Sequence, residues 1–366
     1  MRKGILALPV TALLLAGCSK DKETLRVFTW ADYVDPDLVE RFENENGCRV
    51  KIDIFDSNEI MLAKLQAGAN GYDVIFPSSY MVAKLARDGM LVDLRGEGVL
   101  GDPARLPNVK HIDPDYRKCA LDPEMRFGVP YMVTYTGIAW RDDKEPLVSA
   151  PPEPSWSVFD RADLKGRTTL LDDMRETLGA ALRLLGYSLN TRNPKELAAA
   201  RDVVIRWKKN IAKFENEQYK SGVAGGEFHL VHGYSGDIGQ TQRDEDGALA
   251  PDLNHVRFFL PKEGFSLSCD EMAVPVTAPN KELAYKFINF LHDPEVAAQN
   301  MEYTAYWCPN AGAKAILAET NPEMAANPMV FPDPADLVRG EVIADLGDDL
   351  ALYTRVWDEI KASENK

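Results

Sequence analysis

Long apolar runs are missing from almost all of this chain of 366 residues. After the first eighteen residues, no segment offers the roughly twenty uninterrupted apolar residues that a transmembrane helix needs. Basic residues are also scarce, because 42 Lys and Arg stand against 57 Asp and Glu, which gives a net charge of −15. This balance disfavours a nucleic acid or an anionic lipid surface as the partner, and it suits cationic partners or simple solubility.

The N-terminus carries the only substantial apolar run. Two basic residues precede the run 5–15, which is too short to cross a bilayer. It is followed by Leu15-Ala16-Gly17-Cys18, and small residues before a cysteine indicate cleavage and lipidation. We therefore predict a lipoprotein signal peptide over 1–18 with a lipidated Cys18, and a tether over 19–24. The remainder should be a globular body on the periplasmic side or cell surface, held to the membrane through its lipid anchor.

Cysteine is too rare for a disulfide-dense scaffold. Apart from Cys18 there are Cys48, Cys119, Cys269 and Cys308, an even number for an oxidising compartment. We favour a bond between Cys269 and Cys308, with free buried thiols as the alternative. Their spacing matches no metal site, and the sequence predicts no metal ion, no cofactor and no catalytic residue.

The first part of the body alternates between strands and helices. Short apolar strands are predicted at 25–30, 49–54 and 72–76, with helices at 36–45 and 57–67 between them. Such an order predicts a largely parallel sheet covered on both faces. Ligands of these sheets bind beyond the carboxyl ends of the strands, so residues 30–33 and 78–80 should face one crevice.

A second α/β unit follows the extended segment 128–140. Its predicted elements are strands 168–171 and 228–233, helices 178–185 and 197–207, an extended run 270–275, and helices 281–302 and 345–361. A chain that crosses more than once between two units forms a hinge with a cleft. We therefore predict an α/β fold of two lobes with an interlobe hinge and a ligand cleft. Lobe 1 would hold 25–133 and 272–303, and lobe 2 would hold 134–271 and 304–366.

Four carboxylates stand where they could converge. Asp173 and Glu176 follow a predicted strand and begin a helix, where their spacing puts both on one face. Helix capping is an alternative role for this pair. Asp237 and Asp270 also stand near the ends of extended segments. Acids packed around one cavity repel each other unless cations balance them, so a polycationic ligand would explain this set.

Aromatic residues occur at the same predicted loop ends, at Trp30, Tyr33, Tyr80, Tyr234 and Tyr306. Rings beside carboxylates suit an alkyl chain with charged ends, because methylenes pack on ring faces and each ammonium gains about 0.5–2 kcal/mol of cation–π attraction. Any single ring could instead pack in the core. Ser78 follows a strand and can accept a hydrogen bond from an amine.

Catalytic patterns are weak. Gly233-Tyr234-Ser235-Gly236-Asp237 approaches a nucleophile elbow, but Asp237 occupies the place of its last glycine and no triad histidine is identifiable. His229 and His232 lie three apart on a predicted strand, which points them to opposite faces. Paired carboxylates could also hydrolyse glycosides, an alternative that depends on their separation.

Several ordered motifs resemble the spermidine/putrescine-binding components of bacterial ABC transporters. They are Thr29–Val34, Phe55–Glu59, Tyr72–Tyr80, Gly128–Tyr131, Asp172–Glu176, Pro261–Gly264, Ile288–Leu291, Asp293–Glu295 and Pro309-Asn310. The similarity covers essentially the whole mature chain. It implies an α/β, two-lobed periplasmic-binding-protein fold with a polyamine held between the lobes, and a membrane permease and an ATPase as partners.

The resemblance also implies the ligand contacts. It places them at Trp30, Tyr33, Ser78, Tyr80, Asp173, Glu176, Tyr234, Asp270 and Tyr306. Asp32 and Asp237 are similar to the putrescine-preferring branch, whereas the pair Asp173 and Glu176 is similar to the spermidine-preferring branch. Three departures concern the pocket walls: Ser268 stands at an aromatic position, Ala31 replaces a hydroxyl, and no glutamine occurs near 341–343.

The sequence therefore predicts a monomeric, non-enzymatic binding protein that captures spermidine or putrescine for an ABC importer. A binding protein for another organic cation such as thiamine, a lipid-anchored carboxylate-pair hydrolase and a sensory protein remain as alternatives.

Overall fold

The computed structural model describes residues 22–68, 71–102, 104–242 and 255–363. The predicted signal peptide and Cys18 lie outside these residues. The strands are β1 (Thr24–Thr29), β2 (Arg49–Ile54), β3 (Val74–Ile75), β4 (Val129–Arg141), β5 (Thr168–Leu170), β6 (Lys213–Phe214), β7 (Leu230–Tyr234), β8 (Val256–Phe259), β9 (Phe265–Met272) and β10 (Gly340–Val342).

The α-helices alternate with these strands in the first two thirds of the chain and dominate the last third. They are α1 (Pro36–Asn46), α2 (Asn58–Gln66), α3 (Ser79–Arg87), α4 (Pro114–Cys119), α5 (Met174–Leu184), α6 (Pro194–Lys208), α7 (Gln218–Gly225), α8 (Ser235–Gln240), α9 (Lys281–Leu291), α10 (Pro294–Thr304), α11 (Ala311–Thr320), α12 (Pro322–Ala325), α13 (Pro334–Leu337) and α14 (Leu350–Ala362). In the part of the chain described, none of them is long and apolar enough to cross a membrane.

The first sheet confirms the predicted βαβαβ order. Its strands lie in the order β2-β1-β3 and are parallel, with Val27 opposite both Ile52 and Val74. Helix α1 begins where the Asp35 carboxylate accepts a hydrogen bond from Asp37 N, and it ends at Gly47, whose φ of 63° suits glycine. Short crossovers of this kind bring the carboxyl ends of β1 and β3 to one edge.

The second sheet is mixed, in contrast to the parallel first sheet. It has the order β10-β9-β4-β7-β5-β6, with β8 also paired to β4. Strand β4 is antiparallel to β7, β8 and β9, and only the pairs β5–β6, β5–β7 and β9–β10 are parallel. The reason is that β4 carries the chain out of one core and β9 carries it back, so neighbouring strands run in opposite directions.

Two large hydrophobic cores confirm the two-lobed fold. Strand β4 passes from the first core at Met132 to the second at Tyr135, and β9 returns from Phe265 in the second core to Met272 in the first. Residues of 313–330 pack in the first core, although the predicted division gives 304–366 to the second lobe. That division stays a prediction.

The single helix predicted over 281–302 is two helices. Helix α9 ends at Leu291, and α10 begins after Asp293, whose carboxylate accepts hydrogen bonds from Glu295 N and Val296 N. Pro294 causes the break, because proline fits the first turn of a helix but not its interior.

The predicted Cys269–Cys308 bond is not formed. Both cysteines are buried free thiols, as is Cys48. Val133 of β4 pairs with Cys269 on one side and bridges Trp307 on the other. The intervening strand separates the two cysteine segments by two strand spacings, roughly 9–10 Å. A disulfide requires Cα atoms closer than about 7 Å.

Thiol labelling tests this correction. We expect iodoacetamide to alkylate Cys269 and Cys308 when the protein is denatured without a reductant, as shown by peptide mass mapping. Cys48 serves as the internal control, because it is also a buried free thiol. Recovery of a peptide pair joined through Cys269 and Cys308 would contradict the structure.

Candidate functional site

A cleft lies between the two lobes, with about 830 Å³ of space that includes the part open to solvent. It collects residues that follow β1, β3, β5 and β7, as expected for the carboxyl ends of these strands. Ten of the eleven predicted site residues line it: Trp30, Tyr33, Ser78, Tyr80, Asp173, Glu176, Tyr234, Asp237, Asp270 and Tyr306. Asp32 does not.

Asp270 is a buried carboxylate on one wall. Its Oδ2 accepts a hydrogen bond from Tyr33 Oη (2.7 Å), and its Oδ1 accepts one from Ser78 Oγ (2.6 Å). Both donors belong to the first lobe. Burial raises the pKa of Asp270 to about 6, against the lowering effect of the two hydrogen bonds. Among the described residues one donor reaches each oxygen, so each can still accept a hydrogen bond from a ligand.

Asp173 and Glu176 form the second anionic group. Asp173 is the N-cap of α5, where its Oδ1 accepts from Arg175 N (2.8 Å) and Glu176 N (3.0 Å). No described residue donates such a bond to its Oδ2, so capping and lining the cleft are compatible roles for one side chain. Glu176 Oε2 contacts Thr136 Oγ1 (2.9 Å) and Ser266 Oγ.

Burial dominates the ionisation of this pair. It raises the pKa of Asp173, and burial together with the charge of Asp173 raises the pKa of Glu176 to about 7. A cation placed between the two carboxylates would reverse both effects, because an opposite charge favours the ionised form. The cleft thus holds acids whose ionised forms a positively charged ligand would stabilise.

Asp237 is held by two phenols. Tyr219 Oη and Tyr306 Oη (2.8 Å) both donate to its carboxylate. The Tyr306 ring lies directly over Gly236, where an added Cβ would come within 2.3 Å of ring carbons. Glycine at this position therefore lets the ring close the cleft beside Asp237.

Aromatic rings cover the wall between the anionic groups. The Trp30 and Phe55 ring centroids are 4.3 Å apart, and the Tyr33 and Tyr306 centroids are 5.4 Å apart. Trp30 is fixed by a hydrogen bond from its Nε1 to Phe76 O (2.9 Å). These faces can pack against methylene groups and attract ammonium groups.

The structure does not place Asp32 at the cleft. Its side chain is 54% exposed and accepts a hydrogen bond from Lys220 Nζ (2.8 Å), which belongs to the opposite lobe. The residue has a φ of 50°, which turns the chain after β1. A lysine of this chain thus supplies the ammonium group that sequence reasoning assigned to a ligand.

The model of the family described as bacterial extracellular solute-binding protein matches residues 37–332. The chain belongs to this family. It is 33% identical over 360 residues, 98% of this chain and 96% of the relative, to the spermidine/putrescine-binding periplasmic protein of Salmonella typhimurium.

Solved structures agree with this placement. A protein of Listeria monocytogenes, described as a spermidine/putrescine ABC transporter, has a TM-score of 0.83 and 31% identity, and the match covers 93% of this chain and 99% of that chain. A lipoprotein of Treponema pallidum has a TM-score of 0.76 and 31% identity, with 92% and 99% covered.

Sequence reasoning missed several residues that line the cleft of this solute-binding protein. They are Phe55, Asp56, Asn58, Thr134, Arg175, Asn216 and Glu217. Arg175 is the largest omission, since it is buried with its guanidinium bonded to Asn190 Oδ1 (2.7 Å) and Ala344 O (3.1 Å). Its position between Asp173 and Glu176 was the available signal. Its charge offsets part of the negative charge of the cleft.

Glu59 is a further carboxylate beside the cleft. It accepts a hydrogen bond from Tyr80 Oη (3.2 Å), and burial and the charge of Asp173 raise its pKa to about 7. It stands in the motif Phe55–Glu59, so the signal for it was present. The positions that depart from the family pattern also line the cleft, at Ala31, Ser268 and Ile343. Ser268 is smaller than the aromatic residue expected there and leaves more space. Ala31 and Ile343 replace polar side chains with apolar ones.

The side-chain groups that could hold a metal lie elsewhere. Among the described residues, Asp142, Asp143 and His255 form one such group. Arg257 Nη2 lies 2.7 Å from Asp142, and Arg141 Nε lies 2.7 Å from Asp143. These arginines already balance the two carboxylates.

His232 does not belong to this group. Its ring packs against the Trp156 ring, with 4.8 Å between centroids.

The pH dependence of stability tests the burial of Glu176. Its pKa is about 7 in the folded chain, whereas an ordinary glutamate, as in the unfolded chain, has a pKa of 4.5. Its stabilising contribution is therefore complete below pH 4.5 and is lost as the pH rises through 7. We expect the free energy of unfolding of the ligand-free Glu176→Gln variant to change by roughly 1–3 kcal/mol less between pH 5 and pH 8 than that of the unmodified protein, measured by urea unfolding.

Glu45→Gln is the matched control, because Glu45 is an exposed helix residue beside Arg41. It should leave the pH dependence as in the unmodified protein. Equal dependence in all three proteins would show that Glu176 is not held in a desolvated cleft.

Proposed function

We propose that this protein captures a linear polyamine between its lobes and delivers it to an ABC importer, without catalysing a reaction. The observation that carries this proposal is the pairing of buried carboxylates from opposite walls of one aromatic cleft. Asp270 is bonded to Tyr33 and Ser78 of the first lobe, and Asp173 with Glu176 belongs to the start of α5 in the second. The names of the relatives, which refer to spermidine and putrescine, support the same ligand class.

The charge of the cleft selects the ligand class. Asp173, Glu176, Asp237 and Asp270 all line it, and Arg175 offers the one buried opposing charge in the described lining. A neutral or anionic solute would leave the carboxylates uncompensated. A flexible chain with ammonium groups neutralises acids at separate points, while its methylenes pack on the rings of Trp30, Tyr33, Tyr80, Tyr234 and Tyr306.

Closure of the lobes would then signal to the transporter that a ligand is bound. A ligand favours the closed form only if it contacts both lobes, and the proposed contacts satisfy this demand. Trp30, Ser78 and Tyr80 lie with the first core, whereas Asp173 and Tyr234 follow strands of the second sheet. Strands β4 and β9 connect the lobes and would act as the hinge.

Location and partners belong to the same proposal. We infer that Cys18 carries the lipid that anchors the protein on the periplasmic or cell-surface side, and that the closed monomer docks on the permease, which works with an ATPase. The leader sequence Leu15–Cys18 supports the anchor. The Treponema pallidum relative, which is described as a lipoprotein, supports it as well.

Calorimetric titration tests the ligand class. We expect one putrescine or spermidine to bind per chain, and thiamine not to compete. Asp173→Asn and Asp270→Asn should each weaken binding by about ten- to a hundredfold, because a hydrogen bond to a charged group contributes roughly 1.5–3 kcal/mol. Delipidated, refolded protein should be used so that no copurified ligand occupies the cleft.

Asp32→Asn provides the matched control. It makes the same chemical change outside the cleft, at a residue bonded to Lys220, and should alter affinity by less than about threefold. Recovery of unchanged polyamine after incubation would agree with capture. Unaltered affinity in both cleft variants, or release of a reaction product, would overturn the proposal.

A further inference from the structure

One buried cation stands among the acids of the cleft. Arg175 lines the cleft and is only 2% exposed. Its guanidinium donates to two neutral oxygens, Asn190 Oδ1 (2.7 Å) and Ala344 O (3.1 Å), and no described Asp or Glu forms an ion pair with it. A buried charge is costly unless it is compensated, so the positive charge of Arg175 must be balanced by groups that it does not bond directly.

Two aromatic rings hold the guanidinium. Its central carbon lies 5.7 Å from the centroid of the Tyr80 ring and 5.0 Å from the centroid of the Tyr353 ring. Tyr80 belongs to α3 in the first lobe, whereas Tyr353 belongs to α14 and packs in the second core. Cations within about 6 Å of a ring centroid are attracted to the ring, most strongly where water is excluded. The Tyr80 ring therefore already has a cation over it, and that cation belongs to the chain.

Three carboxylates share the charge of Arg175. Its charge acts to lower the pKa values of Glu59, Asp173 and Glu176, against the raising effect of burial on each. Glu59 also accepts the hydrogen bond of Tyr80 Oη (3.2 Å). Arg175 thus serves Tyr80 and Glu59 as the ammonium group of a ligand would, because it stacks on the ring and favours the ionised carboxylate.

A second pair of carboxylates lies away from this arginine. Asp237 accepts a hydrogen bond from Tyr306 Oη (2.8 Å), and Asp270 accepts one from Tyr33 Oη (2.7 Å). The Tyr33 and Tyr306 ring centroids are 5.4 Å apart, so the two carboxylates flank one pair of rings. Together with the pair at the start of α5, they give the cleft two anionic groups.

We propose that Arg175 is a specificity-determining residue, a built-in cation that excludes ligand ammonium groups from Tyr80 and makes the protein prefer a diamine to longer polyamines. The inference rests on the proposed polyamine function and names the ligand class within it. Like charges repel strongly in a desolvated site, so a third ammonium group cannot share Tyr80 and Glu59 with the guanidinium. A diamine places one ammonium at each anionic group and leaves Arg175 undisturbed.

Paired calorimetric titrations with putrescine and spermidine test this role. We expect the unmodified protein to bind putrescine at least about threefold more tightly than spermidine. Arg175→Met removes the charge and keeps a long side chain. It should strengthen spermidine binding about tenfold, because the third ammonium then gains the Tyr80 ring and Glu59. Putrescine affinity should change by less than about threefold.

Two further variants separate specificity from support of the fold. Arg175→Lys keeps a positive charge and should keep the preference for putrescine. Glu59→Gln added to Arg175→Met removes the carboxylate that the third ammonium would meet, and should cancel most of the gain in spermidine affinity. A merely structural arginine would instead give equal losses for both ligands, without rescue by lysine.

Arg41→Met is the matched control. Arg41 is an exposed arginine of α1 whose guanidinium also lies over a ring, 5.5 Å from the Phe290 centroid. The same chemical change at this surface position should leave the ratio of the two affinities as in the unmodified protein.

An unchanged ratio in Arg175→Met, or tighter binding of spermidine than of putrescine by the unmodified protein, overturns this role while the proposed function stands. The comparison in the unmodified protein decides the outcome if thermal unfolding shows that Arg175→Met has not folded. Failure of the unmodified protein to bind any polyamine overturns the proposed function and the role of Arg175 together.

Discussion

The removal of carboxylates from water is the constraint on which the rest of this structure depends. Asp173, Glu176 and Asp270 are held in a cleft where burial raises the pKa of each. Such groups must be neutralised by protons, by cations or by hydrogen-bond donors. The chain provides donors from tyrosine, serine and threonine and one buried arginine, but it leaves acceptor capacity unused. That unused capacity defines a binding site for a cation more directly than the shape of the cleft does.

The scaffold places this charge between two bodies rather than inside one. The first core supplies Tyr33 and Ser78 to Asp270, and the second sheet and α5 supply Asp173 and Glu176. The antiparallel strands β4 and β9 join the two cores and carry Asp270 itself near the crossing point. A rotation of the lobes therefore changes the distance between the two anionic groups while each keeps its own hydrogen bonds. In the proposed function, recognition and movement would depend on the same side chains.

Much of this could be predicted from the sequence because it is local. The βαβαβ order of residues 24–75 and the strand ends that bear Trp30, Ser78 and Asp173 follow from periodicity and from the strand-end rule. The mixed second sheet could not be predicted in this way, because the direction of β4 depends on its pairing with β9, more than a hundred residues later. The ion pair of Asp32 with Lys220 could not be predicted for the same reason, since the two residues are far apart in the sequence and meet only where the lobes do.

The two crossings also make each lobe depend on distant parts of the chain. Residues of β4 to β9 build most of the second core, yet this segment interrupts the first core, which is completed only by Met272 and the helices that follow it. The first lobe therefore depends on contacts between distant parts of the chain, and such contacts form slowly. Phe42 of α1, for example, is covered by Phe287 and Phe290 of α9. The second lobe is likewise discontinuous, because β10 pairs with β9 and residues of α14 pack in its core, so the C-terminal part of the chain completes both lobes.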